Sequence, residues 1–223
     1  MKKFLILFLL TLTFLNAQIA KVSAIKGDVL IKRDGQYKIA KLNSAINKLD
    51  TITTEKNARI QLVFQDNTMI SIGKSSTFSI EEYIFDLGKK PKVAFKFGYG
   101  TFKSITGKIG KLNPKGFKLQ SKTATMGIRG TIINLDLSED EEIYTVPEGK
   151  IELRVAGQVI VLSAGQMVSR KRDSQASKPK RTPRKVRERM ERRSGAKDNE
   201  RESGLGEKTQ TKEVNSVEKC NYR

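Results

Sequence analysis

An all-β fold is predicted by three features of the sequence: short runs in which apolar and polar residues alternate, glycine-containing turn pairs that punctuate them, and a near absence of capped stripes at the helical period. The clearest run is Ala58-Arg-Ile-Gln-Leu-Val-Phe64, which Gln65-Asp66-Asn67-Thr68 reverses into Met69-Ile-Ser-Ile72, a hairpin pattern. Asp34-Gly35, Glu148-Gly149, Ala156-Gly157 and Ala164-Gly165 close further short strands.

An internal echo refines this picture. Gly27-Asp-Val29-Leu-Ile31-Lys-Arg-Asp-Gly35-Gln36 aligns with Gly149-Lys-Ile151-Glu-Leu153-Arg-Val-Ala-Gly157-Gln158, and the alternation continues through Tyr37 and Ile39 in one copy and Val159 and Val161 in the other. A unit present at both ends of a domain points to stacked coils, to two related sheets that meet, or to chance likeness between two hairpins.

Between them lies Thr123-Ala-Thr-Met-Gly-Ile-Arg-Gly-Thr131, followed by the β-branched run Thr131-Ile-Ile-Asn-Leu-Asp-Leu137. The expectation is a compact Gly-x-x-Gly turn, with Gly127 and Gly130 supplying positive φ or close backbone approach, and then a strand. Arg129 has two readings: its guanidinium faces the carboxylate or phosphate of a ligand, or it pins the turn from within.

The organisation around this domain is read from composition. Met1-Lys2-Lys3, the apolar run Phe4 to Leu15 and Ala17 form a secretory signal over residues 1–17, since the run falls short of the about 18 to 20 apolar residues that span a bilayer. The expected location is the periplasm or the outside of the cell. The single cysteine, Cys220, lies far from any lipid-acceptor position, so a lipoprotein is not expected.

Residues 18–170 form the β domain. Residues 171–223 carry 17 basic against 9 acidic side chains and few apolar ones, and are read as a disordered basic tail with one helical patch at Arg184 to Arg193, where Val186 and Met190 stand four residues apart.

Catalysis finds little support. The chain has no histidine, which removes the commonest general base and zinc ligand. Glu81-Glu82 is read as a solvated strand exit. Asp136-Leu-Ser-Glu-Asp-Glu-Glu142 places oxygen ligands at Asp136, Ser138, Asp140 and Glu142, but without the glycine of an EF-hand loop a solvated acidic hairpin loop is the preferred reading. No catalytic residue, metal or cofactor is expected.

Several elements together resemble the FecR-type domain, the family of the ferric-citrate regulator. Gly27-Asp28-Val29 resembles its opening strand, Leu49-Asp50-Thr51-Ile52-Thr53-Thr54 its "D-x-I-x-T" step, and Ala58 to Ile72 its hairpin. Thr125, Gly127, Arg129, Gly130 and Thr131 carry its signature, and Gly165-Gln166 closes it.

The resemblance implies a β-solenoid-like stack of short twisted strands and hairpins. Its best-known members pass a signal from an outer-membrane transporter to a cytoplasmic sigma factor. Here an export signal stands where those members have a cytoplasmic segment and a transmembrane helix, so that role is not expected to carry over.

The expected function is an exported, non-catalytic binding or structural module of the cell envelope. The alternative is a periplasmic sensor domain docking on a membrane signalling partner. An envelope protein is the expected partner. The net charge of +19 invites an anionic polymer or membrane surface, met through Arg181, Arg184, Lys185, Arg187, Arg189, Arg192 and Arg193; export argues against nucleic acid.

Overall fold

The computed structural model describes residues 18–195, so the expected signal segment, Cys220 and the end of the basic tail lie outside the described residues. The strands in chain order are β1 (Gln18–Lys26), β2 (Val29–Arg33), β3 (Gln36–Ile39), β4 (Ala45–Asn47), β5 (Thr51–Thr54), β6 (Arg59–Phe64), β7 (Met69–Ile72), β8 (Ser76–Ile84), β9 (Lys92–Phe97) and β10 (Gly100–Ile105). A short helix α1 (Lys108–Leu112) precedes β11 (Phe117–Gln120), and then come β12 (Ala124–Leu137), β13 (Glu141–Val155), β14 (Gln158–Ser163), β15 (Gln166–Lys171), β16 (Lys180–Arg181) and helix α2 (Arg184–Ser194).

These strands form one mixed sheet that does not close. Its centre is the long hairpin β12–β13, which divides the sheet into two limbs. The first half of β12 pairs with β11, and the facing part of β13 pairs with β14, giving the order β3-β2-β5-β8-β9-β11-β12-β13-β14. The second half of β12 pairs with β10, and the facing part of β13 with β15, giving β4-β1-β6-β7-β10-β12-β13-β15-β16. Aromatic rings from the two limbs meet in the core: Phe64 of β6 lies 4.7 Å from Phe95 of β9 and 5.4 Å from Tyr83 of β8.

The all-β class holds, and the hairpin expected at residues 58–72 is β6–β7, with Asn67 at φ 65°, a left-handed conformation that asparagine tolerates. The stacked-coil expectation does not describe the pairing. Coils stack through parallel ladders, whereas β9–β11 is the only parallel pair among the described strands and its partners are hairpin-like antiparallel neighbours. The two copies of the internal echo are the hairpins β2–β3 and β13–β14, which lie at opposite ends of the first limb of one sheet rather than in stacked coils or in two separate sheets.

The basic segment also departs from expectation. Residues 172–195 include β16 and α2, and α2 is docked on the sheet. Met190 is fully buried against Ile143 and Met167, with Val186 packed beside it. Arg193 donates to the buried Asp136 at 2.6 Å, and a Cβ on Gly73 would stand 2.2 Å from the Arg193 carbonyl, so helix and sheet are in close contact. Average composition hid this because two apolar residues one helical turn apart, and one arginine for a buried carboxylate, hold the helix. Gly195 ends it at φ 67° in the left-handed conformation of a helix C-terminus.

Candidate functional site

The family-signature residues lie at the bend of β12, inside a strand rather than in the compact turn expected. Arg129 is opposite Lys150 and Ile132 is opposite Glu148, so Gly130 and Thr131 together face the single residue Gly149. This is a β-bulge, and Gly130 takes the left-handed conformation that such a bulge requires, with φ 55°. Two positions further on, β13 returns the extra residue: Ile132 faces Glu148 while Asn134 faces Thr145, and the added stretch holds the exposed Pro147, which as a proline cannot donate to a ladder.

Gly149, at φ 84°, is closely overlaid by the bulge. A Cβ there would lie 2.4 Å from the Gly130 carbonyl oxygen and 2.9 Å from Thr131 Cα. Thr131 closes the bend: its hydroxyl donates to the Lys150 carbonyl at 3.1 Å, and its carbonyl accepts from the amide of Thr106 at 3.1 Å and its hydroxyl at 2.8 Å.

Not every signature residue has the role expected of it. Gly127 sits in regular ladder opposite Lys118 and Glu152, has no positive φ, and a Cβ there would meet nothing within 4 Å. Thr125 is a half-buried ladder residue between Gln120 and Arg154. The backbone of Arg129 belongs to the ladder; its side chain is outside what the structure describes, and both readings of it stand as expectations.

Beyond the bend, the tip of β12–β13 is rich in charge. The hairpin loop was expected to be solvated throughout, and Ser138 to Asp140 are exposed, but the flanking Asp136 and Glu142 are buried. Asp136 accepts from the Thr101 hydroxyl at 3.1 Å and from Arg193, with Arg189 at 3.9 Å. Glu142 accepts from the Thr123 hydroxyl and faces Arg170 at 3.5 Å. Glu81 and Glu82, expected at a strand exit, lie within β8 and pair across the ladder with Lys96 and Lys92.

Clefts of about 390 and 310 Å³ flank this tip and share Tyr99, Leu137, Ser138 and Glu139. The larger includes Lys122, Arg170 and Arg172 together with Glu141, Glu142 and Asp173. Most of its charges are already matched: Arg172 reaches Glu139 at 3.3 Å and Asp140 at 3.8 Å, and Arg170 also donates to the Ser174 carbonyl.

Ser121 and Tyr144 share a hydrogen bond of 3.1 Å beneath it, but burial, with Glu142 nearby, pushes the Tyr144 phenol well above its usual range. A phenol so shifted is a poor base for the Ser121 hydroxyl at neutral pH. The pair therefore serves as a buried anchor.

Asp66 forms a second such anchor. Its carboxylate accepts from the Thr68 hydroxyl at 2.7 Å, the Tyr83 hydroxyl at 3.1 Å and the Ile109 amide at 3.2 Å, tying β6–β7 to α1. Burial and the neighbouring carboxylate push the Tyr83 phenol up as well.

The cations expected to meet polyanions fall into two groups. Arg189 and Arg193 turn inward to Asp136, and Arg184 pairs with Glu188 at 2.7 Å along α2. Lys185, Arg187 and Arg192 on α2 and Arg181 on β16 are exposed and form no ion pair among the described residues. The sequence marked these positions as basic, but it did not separate those held inward from those left facing solvent.

No curated protein matches the chain. Several solved structures are similar over part of it, two of which illustrate the likeness. One is described as a "putative anti-sigma factor" from Parabacteroides distasonis ATCC 8503, with 13% identity, a TM-score of 0.48 and 59% of each chain covered, so this chain spans less than two thirds of that protein. The other is a cell surface anchoring domain with 26% identity and a TM-score of 0.27, covering 27% of this chain and 82% of that one. Residues 50–152, from the residue before β5 to the middle of β13, match the family model described as FecR protein, and on that match, with the bulged signature hairpin inside it, the chain carries a FecR domain.

Proposed function

We propose that this FecR-domain protein is an exported, non-catalytic binding module of the cell envelope that meets an anionic polymer or membrane surface through the outer face of α2 and the adjoining β16. The observation that carries this reading is the division of cations on α2. Val186 and Met190 fix the helix on the sheet, Arg193 is used to hold it there, and Lys185, Arg187 and Arg192 are presented outward. Residues 171–195 contain 11 basic and 3 acidic side chains, while residues 196–223 contain 6 of each. The entire excess of the basic segment thus sits on the part that folds against the domain.

Charge presented on a fixed helix attracts an anionic surface by up to about 1 kcal/mol per cation, and the attraction falls off over a Debye length. The test is sedimentation of the full chain with vesicles of phosphatidylglycerol and with neutral vesicles. Binding to the anionic vesicles is expected, weakening steeply with salt. Replacing Arg181, Lys185, Arg187 and Arg192 by Gln is expected to abolish it, whereas truncation after Gly195, which removes no net charge, leaves it intact. Binding that survives the four replacements overturns the proposal. Among the described residues no helix is long and apolar enough to cross a membrane.

A second reading, a sensor domain that docks on a membrane signalling partner, draws support from the FecR match alone. Cross-linked capture from intact cells separates the two: a membrane protein retained by the four-Gln variant favours the sensor.

A further inference from the structure

Among the described residues, the two ends of the first limb, β3 and β14, are each paired on one side only. Both bear exposed apolar residues on the outward face: Tyr37 and Ile39 on β3, 64% and 70% exposed, and Val159 and Val161 on β14, 57% and 47% exposed. The face follows from the register. Tyr37 and Ile39 lie opposite Lys32 and Leu30, away from the buried Ile31, and Val159 and Val161 lie opposite Arg154 and Glu152, away from the buried Leu153.

The same residues hold the free backbone groups. Each hairpin turns through two residues, so the residues flanking the turn form a hydrogen-bonded pair and the alternation fixes the rest. Gln36 and Lys38 bond inward to β2, and Gln158, Ile160 and Leu162 inward to β13. The N–H and C=O groups of Tyr37, Ile39, Val159 and Val161 therefore point off the sheet.

Strand direction completes the match. From β3 to β14 the limb makes seven antiparallel steps and one parallel step, β9–β11. An odd number of reversals makes β3 and β14 run in opposite directions. A copy displaced along the sheet thus brings its β3 beside β14 antiparallel, with the same face outward. With Tyr37 opposite Val161 and Ile39 opposite Val159, all four free backbone sites pair and the four apolar side chains form one cross-strand cluster.

We propose that the protein self-associates head to tail by this pairing, β14 of one copy adding to β3 of the next. Sheet edges are ordinarily blunted by charge, yet Gln158-Val-Ile-Val-Leu-Ser163 has no charged residue and β3 has only Lys38, on the opposite face. Such an interface is heterologous: each copy uses two different edges, so assembly continues into open chains or closes into a ring.

The test is the mass of the full chain by sedimentation equilibrium over a wide concentration range, with two edge variants. Val161→Pro removes an N–H that the β13–β14 hairpin does not use, and Ile39→Pro does the same on β3. Wild type is expected to rise in mass with concentration and each variant alone to remain monomeric. Mixed, the intact β14 of one and the intact β3 of the other restore pairing, and the mixture stops at a dimer.

Should either proline lower the melting temperature, Val161→Lys and Ile39→Lys keep every N–H and are expected to block pairing equally. A wild type that stays monomeric, a variant that still assembles alone, or a mixture that fails to dimerise overturns the proposal.

Discussion

The hairpins β2–β3 and β13–β14 close through the same turn and yet sit in different structures. Both turns place two residues at positive φ, Asp34 at 50° and Gly35 at 78° in one, Ala156 at 49° and Gly157 at 75° in the other, the geometry of a tight turn that matches strand twist. Their leading glycines also agree, Gly27 at φ 72° and Gly149 at 84°. At Gly27, however, the chain leaves β1 and starts β2 afresh, whereas β13 runs unbroken through Gly149 for 15 residues. The torsion angle is local; whether the strand continues is decided by its neighbour. Opposite Gly149 stands the β12 bulge, which takes up the kink and lets one hairpin serve both limbs.

The largest expected effect breaks that accommodation. Gly149→Ala sets a Cβ into backbone atoms at 2.4 and 2.9 Å and adds a side chain at φ 84°. A loss of about 3 kcal/mol or more follows from the strain and the displacement of a packed neighbour together. Thermal unfolding measures it. A variant that melts within a degree of wild type would show that the bend is soft and that Gly149 is not what permits it.

Next in size is Met190→Ala, which tests a further difference: among the described residues, the β13–β15 surface is covered by a helix and β2–β3 is not. Removing this buried side chain is expected to cost about 2 kcal/mol, at the low end for core truncations because its apolar neighbours form a small cluster of Ile143, Met167 and Val186, with the Thr145 hydroxyl donating to its sulfur at 3.7 Å. The loss is expected to be local. Trypsin should begin to cut at Arg184 to Arg193 while the sheet stays protected. Resistance there equal to that of wild type would mean that the Arg193–Asp136 pair suffices to hold α2.

The sequence made the strands legible where apolar and polar residues alternate, as in β6 and β7, although the polar Gln61 and Ser71 are buried along with their apolar neighbours, and made the turns legible wherever glycine follows Asp or Ala. It could not show that Gly127 and Gly130 differ. Both stand in the same motif, but only Gly130 meets a register shift, and register belongs to the partner strand. Nor could it show that Asp136 is buried, because the residues that bury it come from β10 and, 57 positions along the chain, from α2. The docking of α2 escaped for the opposite reason: a segment average weighs every residue equally, while the contact depends on Met190, Val186 and Arg193.

The smallest expected effect is a gain, and it sharpens the comparison of the turns themselves. Ala156 holds a left-handed conformation that costs an L-residue with a Cβ about 1 to 2 kcal/mol, whereas Asp34 occupies the equivalent place at lower cost because a short polar side chain can hydrogen-bond locally. Ala156→Gly relieves that strain. Against it stand the larger unfolded-state entropy of glycine, about 0.4 to 1 kcal/mol, and the contact of a partly buried methyl with the core.

The balance is a stabilisation of about 0.5 kcal/mol, a rise of one to two degrees in melting temperature for a domain of this size. Asp34→Gly lacks the strain to relieve and is expected to leave the melting temperature unchanged or lower it. Equal shifts for the two would mean that the residue in the first turn position is indifferent in both hairpins, and that the second glycine alone, Gly35 or Gly157, determines the turn they share.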